Sequence, residues 1–231
     1  MKLSIIIPVF NEEHTILALL SRVQEVQLPS GVTREIIIVD DGSVDSTREK
    51  LKGHRSHHPT KIVHKEKNQG KGSAIKVGIQ HATGDIILIQ DADLEYDPAE
   101  YPALIEPILK METLVVYGSR FKGNIKNMTL TNRLANLTTN LTIRILFGQK
   151  LTDANTCYKL YKKDVLNNLH IKSDGFDFEA ELTSKLLLQK IKIHEIPIKY
   201  EARDKRSGKK MSWSKALRMY YVFFRCRIFR S

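Results

Sequence analysis

Five short runs of aliphatic and β-branched residues recur through the first 120 residues, and they constrain the fold more than any other feature. They are LSIIIPV (3–9), REIIIVD (34–40), TKIVHK (60–65), GDIILIQ (84–90) and ETLVVYGS (112–119). Stretches with helical character fill the gaps, at about 12–27, 45–54, 71–82 and 98–110. Near-continuous Ile/Val runs suit strands buried on both faces, and strand–helix alternation predicts an α/β fold with a parallel sheet. In such sheets ligands bind beyond the carboxyl ends of the strands. Three polar clusters fall there: Asn11-Glu12, Asp40-Asp41 and Asp91-Ala92-Asp93.

The second half is less regular. Leu130, Leu134, Leu137, Leu141 and Ile145 recur at spacings that place them on one face of a helix. LTDANTCYKLYKKDVL predicts a turn, a short strand and a helix, DGFDFEAELTSKLLLQK a loop entering a helix, and IKIHEIPIKY a strand. The last 17 residues have helical character. No repeat or low-complexity linker interrupts the chain. At 231 residues and 42% hydrophobic content, one sizeable core with an appendage is expected.

No run of about 18 uncharged apolar residues predicts a membrane span. The opening MKLSIIIPVFNEE meets acids too soon for a secretory signal. Cys157 and Cys226 lack metal-type spacing and suggest a reduced, cytoplasmic compartment. The net charge of +11 is concentrated late: from Lys199 to Ser231 there are eleven Lys or Arg against two acids. Such a tail suits nucleic acid, an anionic membrane or a phosphorylated substrate.

The acids carry the sharpest chemistry. Asp40 and Asp41 can close a turn or accept hydrogen bonds from ribose hydroxyls and base N–H groups. In LIQDADLEY, alternate residues of an extended segment point the same way. Asp93 and Glu95 are therefore expected to reach one metal, with Asp91 nearby. Mg2+ and Mn2+ take one or two carboxylates plus waters and substrate phosphates. NQGKGSAIKVGI lacks the spacing of a phosphate loop, and Lys71 and Gly72 are expected to shape the helix start. Asn127, Asn136 and Asn140 each begin an N-x-T triplet, which we attribute to chance.

Taken together, IIIPVFNEE, IIIVDDGSVDST, NQGKGSAIKVGI, QDADLEYDP and VVYGSRF resemble, in order and spacing, family 2 glycosyltransferases with the GT-A fold. Within that family the chain is similar to dolichyl-phosphate mannose synthases and bacterial polyprenyl-phosphate glycosyltransferases. The fold implied is a Rossmann-like, mostly parallel sheet flanked by helices, over residues 1–212, followed by a basic amphipathic C-terminal helix at 213–231.

Residue by residue, the resemblance implies nucleotide-sugar contacts at Pro8, Phe10, Asn11, Glu12, Val39, Asp41, Lys71, Asp91, Ala92 and Asp93. Phe10 stands where relatives carry Tyr. It implies Mg2+ or Mn2+ on Asp93 and Asp91, with Glu95 replacing the more usual Gln. Arg120 and Arg133 would meet the acceptor phosphate. Arg203 and Lys210 would close on the diphosphate, although Lys209 has the family spacing.

The activity implied is inverting transfer of a hexose from GDP-mannose or UDP-glucose to a polyprenyl phosphate, catalysed by Asp93, Arg120, Arg203 and Lys210. A hydroxyl acceptor would need a base, for which Asp153 is the candidate. A third reading is a non-catalytic binder of nucleic acid or membrane. The acceptor places the protein peripherally at the cytoplasmic face of the membrane, with no nucleic-acid partner. Trp213, Leu217, Tyr220, Phe224 and Ile228 share one helical face, with Lys215, Arg218 and Arg225 broadly opposite, which suits an anionic interface.

Overall fold

The aliphatic runs pair as parallel strands because both of their faces are apolar and both must be covered. The protein is described by a computed structural model over residues 1–202 and 213–229. Seven strands form one sheet: β1 (Lys2–Val9), β2 (Thr33–Asp40), β3 (Thr60–His64), β4 (Ile86–Ile89), β5 (Val115–Lys126), β6 (Lys159–Lys162) and β7 (Ile193–Glu201). Their order is β3-β2-β1-β4-β6-β5-β7. Only β6 runs antiparallel to its neighbours β4 and β5. β1 is central, with β2 and β4 parallel on either side. The chain leaves β1 toward β2 and β3, then returns to place β4 on the other flank. That reversal opens a crevice at the carboxyl ends of β1 and β4.

Helices cover both faces: α1 (Ile16–Glu25), α2 (Thr47–Gly53), α3 (Lys71–His81), α4 (Tyr101–Leu109), α5 (Leu130–Phe147), α6 (Lys163–Asn167), α7 (Phe178–Leu188) and α8 (Trp213–Phe229). The core joins Ile5, Ile6 and Ile7 of β1 to Ile36–Val39 of β2 and Ile86–Ile89 of β4, all essentially inaccessible to water. α3 lies against β1 because residue 78 is glycine. A Cβ there would stand 2.4 Å from the Cγ2 of Ile6.

Two elements depart from the expected boundaries. β5 does not stop at residue 119 but continues to Lys126, with an irregular register between Ser119 and Asn124 against β7. Past the irregularity the strand is largely exposed, so no apolar pattern marks it in the sequence.

The second departure is the orientation of α5. Its apolar stripe faces outward: Leu130, Leu134, Leu137, Leu141 and Ile145 are 53–83% exposed. The face turned inward carries Asn136, Thr139 and Ile143. Beside α5, α8 packs through Val222, Phe223 and Cys226 and leaves Leu217, Phe224 and Ile228 outside. Phe223 meets Phe147 of α5 edge-on at 6.5 Å between ring centroids. Arg218 and Arg225, expected broadly opposite the apolar face, pair with Asp177 at the N-terminus of α7 at 2.9 Å and with Glu181 of α7 at 3.5 Å. The side chains of Trp213 and Lys215 lie outside the described ones. Among the described residues no helix is long and apolar enough to cross a membrane.

Candidate active site

The loop after β1 is sewn to the loop after β2. The Asn11 N–H donates to Ser43 Oγ at 3.0 Å, and Asn11 Oδ1 accepts from the Val44 N–H at 2.9 Å. Asn11 has φ of 55°, a left-handed conformation that Asn tolerates better than most residues. The Glu12 N–H donates to Thr47 Oγ1 at 2.9 Å, and Glu12 Oε2 accepts from Thr15 Oγ1 at 2.8 Å. Asn11 is exposed and Glu12 half-buried, at the mouth of the crevice.

The two acids at the end of β2 point inward. Asp40 is fully buried and accepts from the Ser43 N–H, Arg48 Nε and His64 Nδ1 at 2.9–3.0 Å. Burial pushes its carboxyl up, but those donors outweigh the effect and hold it below the usual range. Asp41 accepts from the Gly70 N–H at 2.7 Å, the Gln69 N–H at 3.1 Å and the ammonium of Lys65. The glycine-rich segment does cradle an anion, and that anion is Asp41. A ligand's close approach at Gly70 and Gly72 is also taken: a Cβ at Gly70 would lie 2.5 Å from the Asp174 carbonyl oxygen, and one at Gly72 2.5 Å from Phe178 Cβ. Val39, expected near the base, is wholly buried, whereas Pro8 and Phe10 remain half-buried near the opening.

The acids after β4 lie on a turn. β4 ends at Ile89, and Leu94 has φ of 63°. This corrects the expectation that Asp93 and Glu95 align as alternate residues of an extended segment. Asp93 Oδ1 accepts the Glu95 N–H at 3.2 Å, closing the turn. Glu95 Oε2 accepts the Tyr200 hydroxyl at 2.7 Å. Asp91 faces Lys71, whose Nζ is 2.8 Å from Oδ1. Lys71 also pairs with Glu179 Oε1 at 2.9 Å, and the buried Lys159 meets Glu179 Oε2 at 2.6 Å. Four alternating charges thus run from β4 through α3 and α7 to β6. Ala92, between the two aspartates, is buried and packs in the core.

Among the described residues, no group of three or more His, Cys, Asp or Glu side chains is arranged to hold a metal ion. An all-protein cage is therefore absent from the described residues. Two carboxylates at the crevice fit an ion that keeps waters and takes its other ligands from a diphosphate.

On the other flank, Arg120 is buried. Its Nε and Nη2 donate to the two Asp153 oxygens at 2.7 Å, and Nη2 also reaches Asn136 Oδ1 at 3.2 Å. The guanidinium stacks over the Tyr200 ring at 5.0 Å. Asp153 is inaccessible to water. Asn140 binds the same turn, donating to the Thr152 carbonyl and accepting from the Ala154 N–H. The N-x-T triplets at 136 and 140 thus hold asparagines that bind this turn and its arginine. Arg133 stands exposed on the N-terminal half of α5. Arg203, Lys209 and Lys210 lie outside the described residues.

No motif singles out Glu179, Lys159 or Tyr200 in the sequence, and Asn136 stands out there only as the start of an N-x-T triplet. Only GFDFEAEL carried a signal, because acids inside an otherwise apolar helix demand buried partners.

The architecture has counterparts among solved structures. Glucosyl-3-phosphoglycerate synthase from Mycobacterium tuberculosis, determined with Mn2+, UDP and glucosyl-3-phosphoglycerate, superposes with a TM-score of 0.74 at 19% identity, over 98% of this chain and 79% of that one. The same synthase has been determined with Mg2+ and UDP, again at a TM-score of 0.74. This likeness defines the fold as the GT-A arrangement.

Residues 4–169 match the model of glycosyl transferase family 2, and the chain belongs to that family. Among curated relatives, the dolichol-phosphate mannosyltransferase of Pyrococcus furiosus is 30% identical over 213 residues, 90% of this chain and 59% of that protein. The dodecaprenyl-phosphate galacturonate synthase of Rhizobium johnstonii is 26% identical, over 88% of this chain and 60% of that protein. The chain therefore spans about three fifths of the length of these relatives.

Proposed function

We propose that the chain transfers a hexose, with inversion, from a nucleotide sugar such as GDP-mannose or UDP-glucose to a polyprenyl phosphate. The donor would enter the crevice lined by Pro8, Phe10, Asn11 and Glu12. Asp93 and Asp91 would hold Mg2+ or Mn2+, which supplies positive charge to the diphosphate. An acceptor phosphate oxygen attacks the anomeric carbon, the bond from that carbon to the diphosphate oxygen breaks, and the nucleoside diphosphate leaves with the electron pair. A phosphate is already ionised near neutral pH, so positioning and charge stabilisation suffice. Arg133 would steer the acceptor phosphate, with Arg120 as the buried clamp behind it. Arg203, with Lys209 or Lys210, would offset charge on the leaving group.

The observation that carries this reading is the outward leucine stripe of α5, on the helix that also carries Arg133 and touches Arg120 through Asn136. A lipid acceptor lies at a membrane, and the exposed stripes of α5 and α8 provide the apolar face of a peripheral contact. Those stripes also favour the lipid over a soluble hydroxyl acceptor. So does Asp153, which is enclosed and spent on Arg120. The names of the curated relatives, polyprenyl- and dolichol-phosphate sugar transferases, support the same acceptor class. The test is transfer of radiolabelled sugar from GDP-mannose and UDP-glucose into an organic-extractable product, in the presence of undecaprenyl or dolichyl phosphate and Mg2+ or Mn2+. Label appearing only in water-soluble product would reject the lipid acceptor.

A further inference from the structure

Asp91 does not meet Lys71 alone. Lys71 Nζ stands between two carboxylates, 2.8 Å from Asp91 and 2.9 Å from Glu179. Glu179 has its second oxygen fixed by Lys159, whose ammonium also lies 5.2 Å from the centre of the Tyr117 ring. Neither Glu179 nor Lys159 lies in a strand-end loop at the crevice. One starts α7, and the other is fully buried on β6.

The arrangement has a consequence for Asp91. A lysine with one carboxylate partner holds it tightly and competes with any cation for its oxygens. A lysine shared between two carboxylates holds each less tightly. Both carboxylates lie within ion-pair distance of the Lys71 ammonium, so its charge is divided between them. Burial raises the Glu179 carboxyl, but Lys159 and Lys71 pull it to about 2, so it stays an anion.

We infer that Glu179, anchored by Lys159, is a positioning residue for the donor site: it shares the charge of Lys71 and so keeps Asp91 oriented and available to a divalent cation. This rests on the donor-and-metal reading proposed above. It predicts that Glu179→Gln tightens the Lys71–Asp91 pair and weakens cation binding, although Glu179 reaches the crevice only through Lys71.

The test is titration of Mn2+ followed by electron paramagnetic resonance, with saturating GDP or UDP. Removing a group that orients a ligating carboxylate typically costs about 10–100-fold in metal affinity, which is the loss expected for Glu179→Gln. Glu181→Gln is the control. That acid is also buried and ion-paired on α7, but to Lys185 and Arg225 on the side away from Lys71. It should lower thermal stability and leave Mn2+ affinity unchanged. If Glu179→Gln folds poorly, the double variant Glu179→Gln/Lys159→Met removes the stranded ammonium and carries the same test, with the same weakened Mn2+ binding expected. Wild-type Mn2+ affinity in a folded Glu179 variant would overturn the inference, as would an equal loss in Glu181→Gln. A wild-type protein that binds neither Mn2+ nor nucleotide would instead overturn the donor reading itself.

Discussion

Asp153 and Arg120 form the most enclosed ion pair at the site, and their geometry allots them a task. Both carboxylate oxygens accept from the guanidinium, and one also accepts the Arg120 N–H at 2.9 Å. Breaking one side of such a pair leaves an uncompensated charge and costs about 3–5 kcal/mol. Asp153→Asn should therefore lower the denaturation midpoint strongly, with activity falling in step with folding. Full stability with lost transfer would instead make Asp153 a chemical participant. Asp93 accepts the Glu95 N–H in its turn at the crevice, and as a proposed metal ligand its replacement in Asp93→Asn should abolish Mn2+-dependent binding of nucleoside diphosphate in calorimetry while the protein stays folded. Unchanged binding would remove Asp93 from the metal site.

Acid sensitivity belongs to the same scale. Burial raises the carboxyls of Glu35, Glu179 and Glu181, and their partners more than reverse it. Lys2, Ser4 and Thr83 act on Glu35, Lys159 and Lys71 on Glu179, and Ser173, Lys185 and Lys172 on Glu181, leaving each at about 2. The folded state thus binds fewer protons than the unfolded chain between the ordinary glutamate value of about 4.3 and that lower value. Their contribution to stability is complete above this window and is lost as pH falls through it. Urea midpoints measured from pH 6 to pH 2 should be level at first and then drop below about pH 4.5; a midpoint independent of pH would contradict the three ion-pair networks.

At the level of elements, α5 is an amphipathic helix packed with its polar side inward. Asn136, Thr139 and Asn140 engage Arg120, Asn155 and the turn at 152–154. The leucines on the far side are largely exposed, so Leu134→Glu with Leu137→Glu should change stability by no more than about 0.5 kcal/mol per site. The same pair should abolish flotation with liposomes of anionic phospholipid. Equal flotation of variant and wild type would remove α5 from the membrane contact. α8 behaves otherwise. Phe223 is buried against α5, and Phe223→Ala should cost about 3–5 kcal/mol through the cavity it leaves. The helical periods of both elements are visible in the sequence. Which face turns inward is not, because a leucine stripe at helical spacing is the ordinary mark of a buried face. The polar partners that reverse it lie on β5 and in a turn outside the helix.

Across the whole molecule, the sheet brings together groups far apart in the chain. Lys71 of α3, Asp91 of the loop after β4, Lys159 of β6 and Glu179 of α7 form one chain of charges, and it meets the crevice at Asp91. The parallel strands, their order of appearance and the acids at their ends are visible in the aliphatic runs and in the residues that follow them. These are short-range properties: a run of Ile and Val buried on both faces, and a polar turn at its end, act over a few residues. The family resemblance follows from the same local motifs, and the match over residues 4–169 bears it out.

The roles of the individual acids rest on contacts the chain makes only once folded. Asp41 satisfies the glycine-rich loop, Glu95 takes the Tyr200 hydroxyl, and Asp91 is tied through Lys71 to Glu179, 88 positions further along the chain. A carboxylate's function depends on what lies within about 3–4 Å of its oxygens. Neighbours in sequence specify that strands end in acids; neighbours in space specify what each of those acids meets.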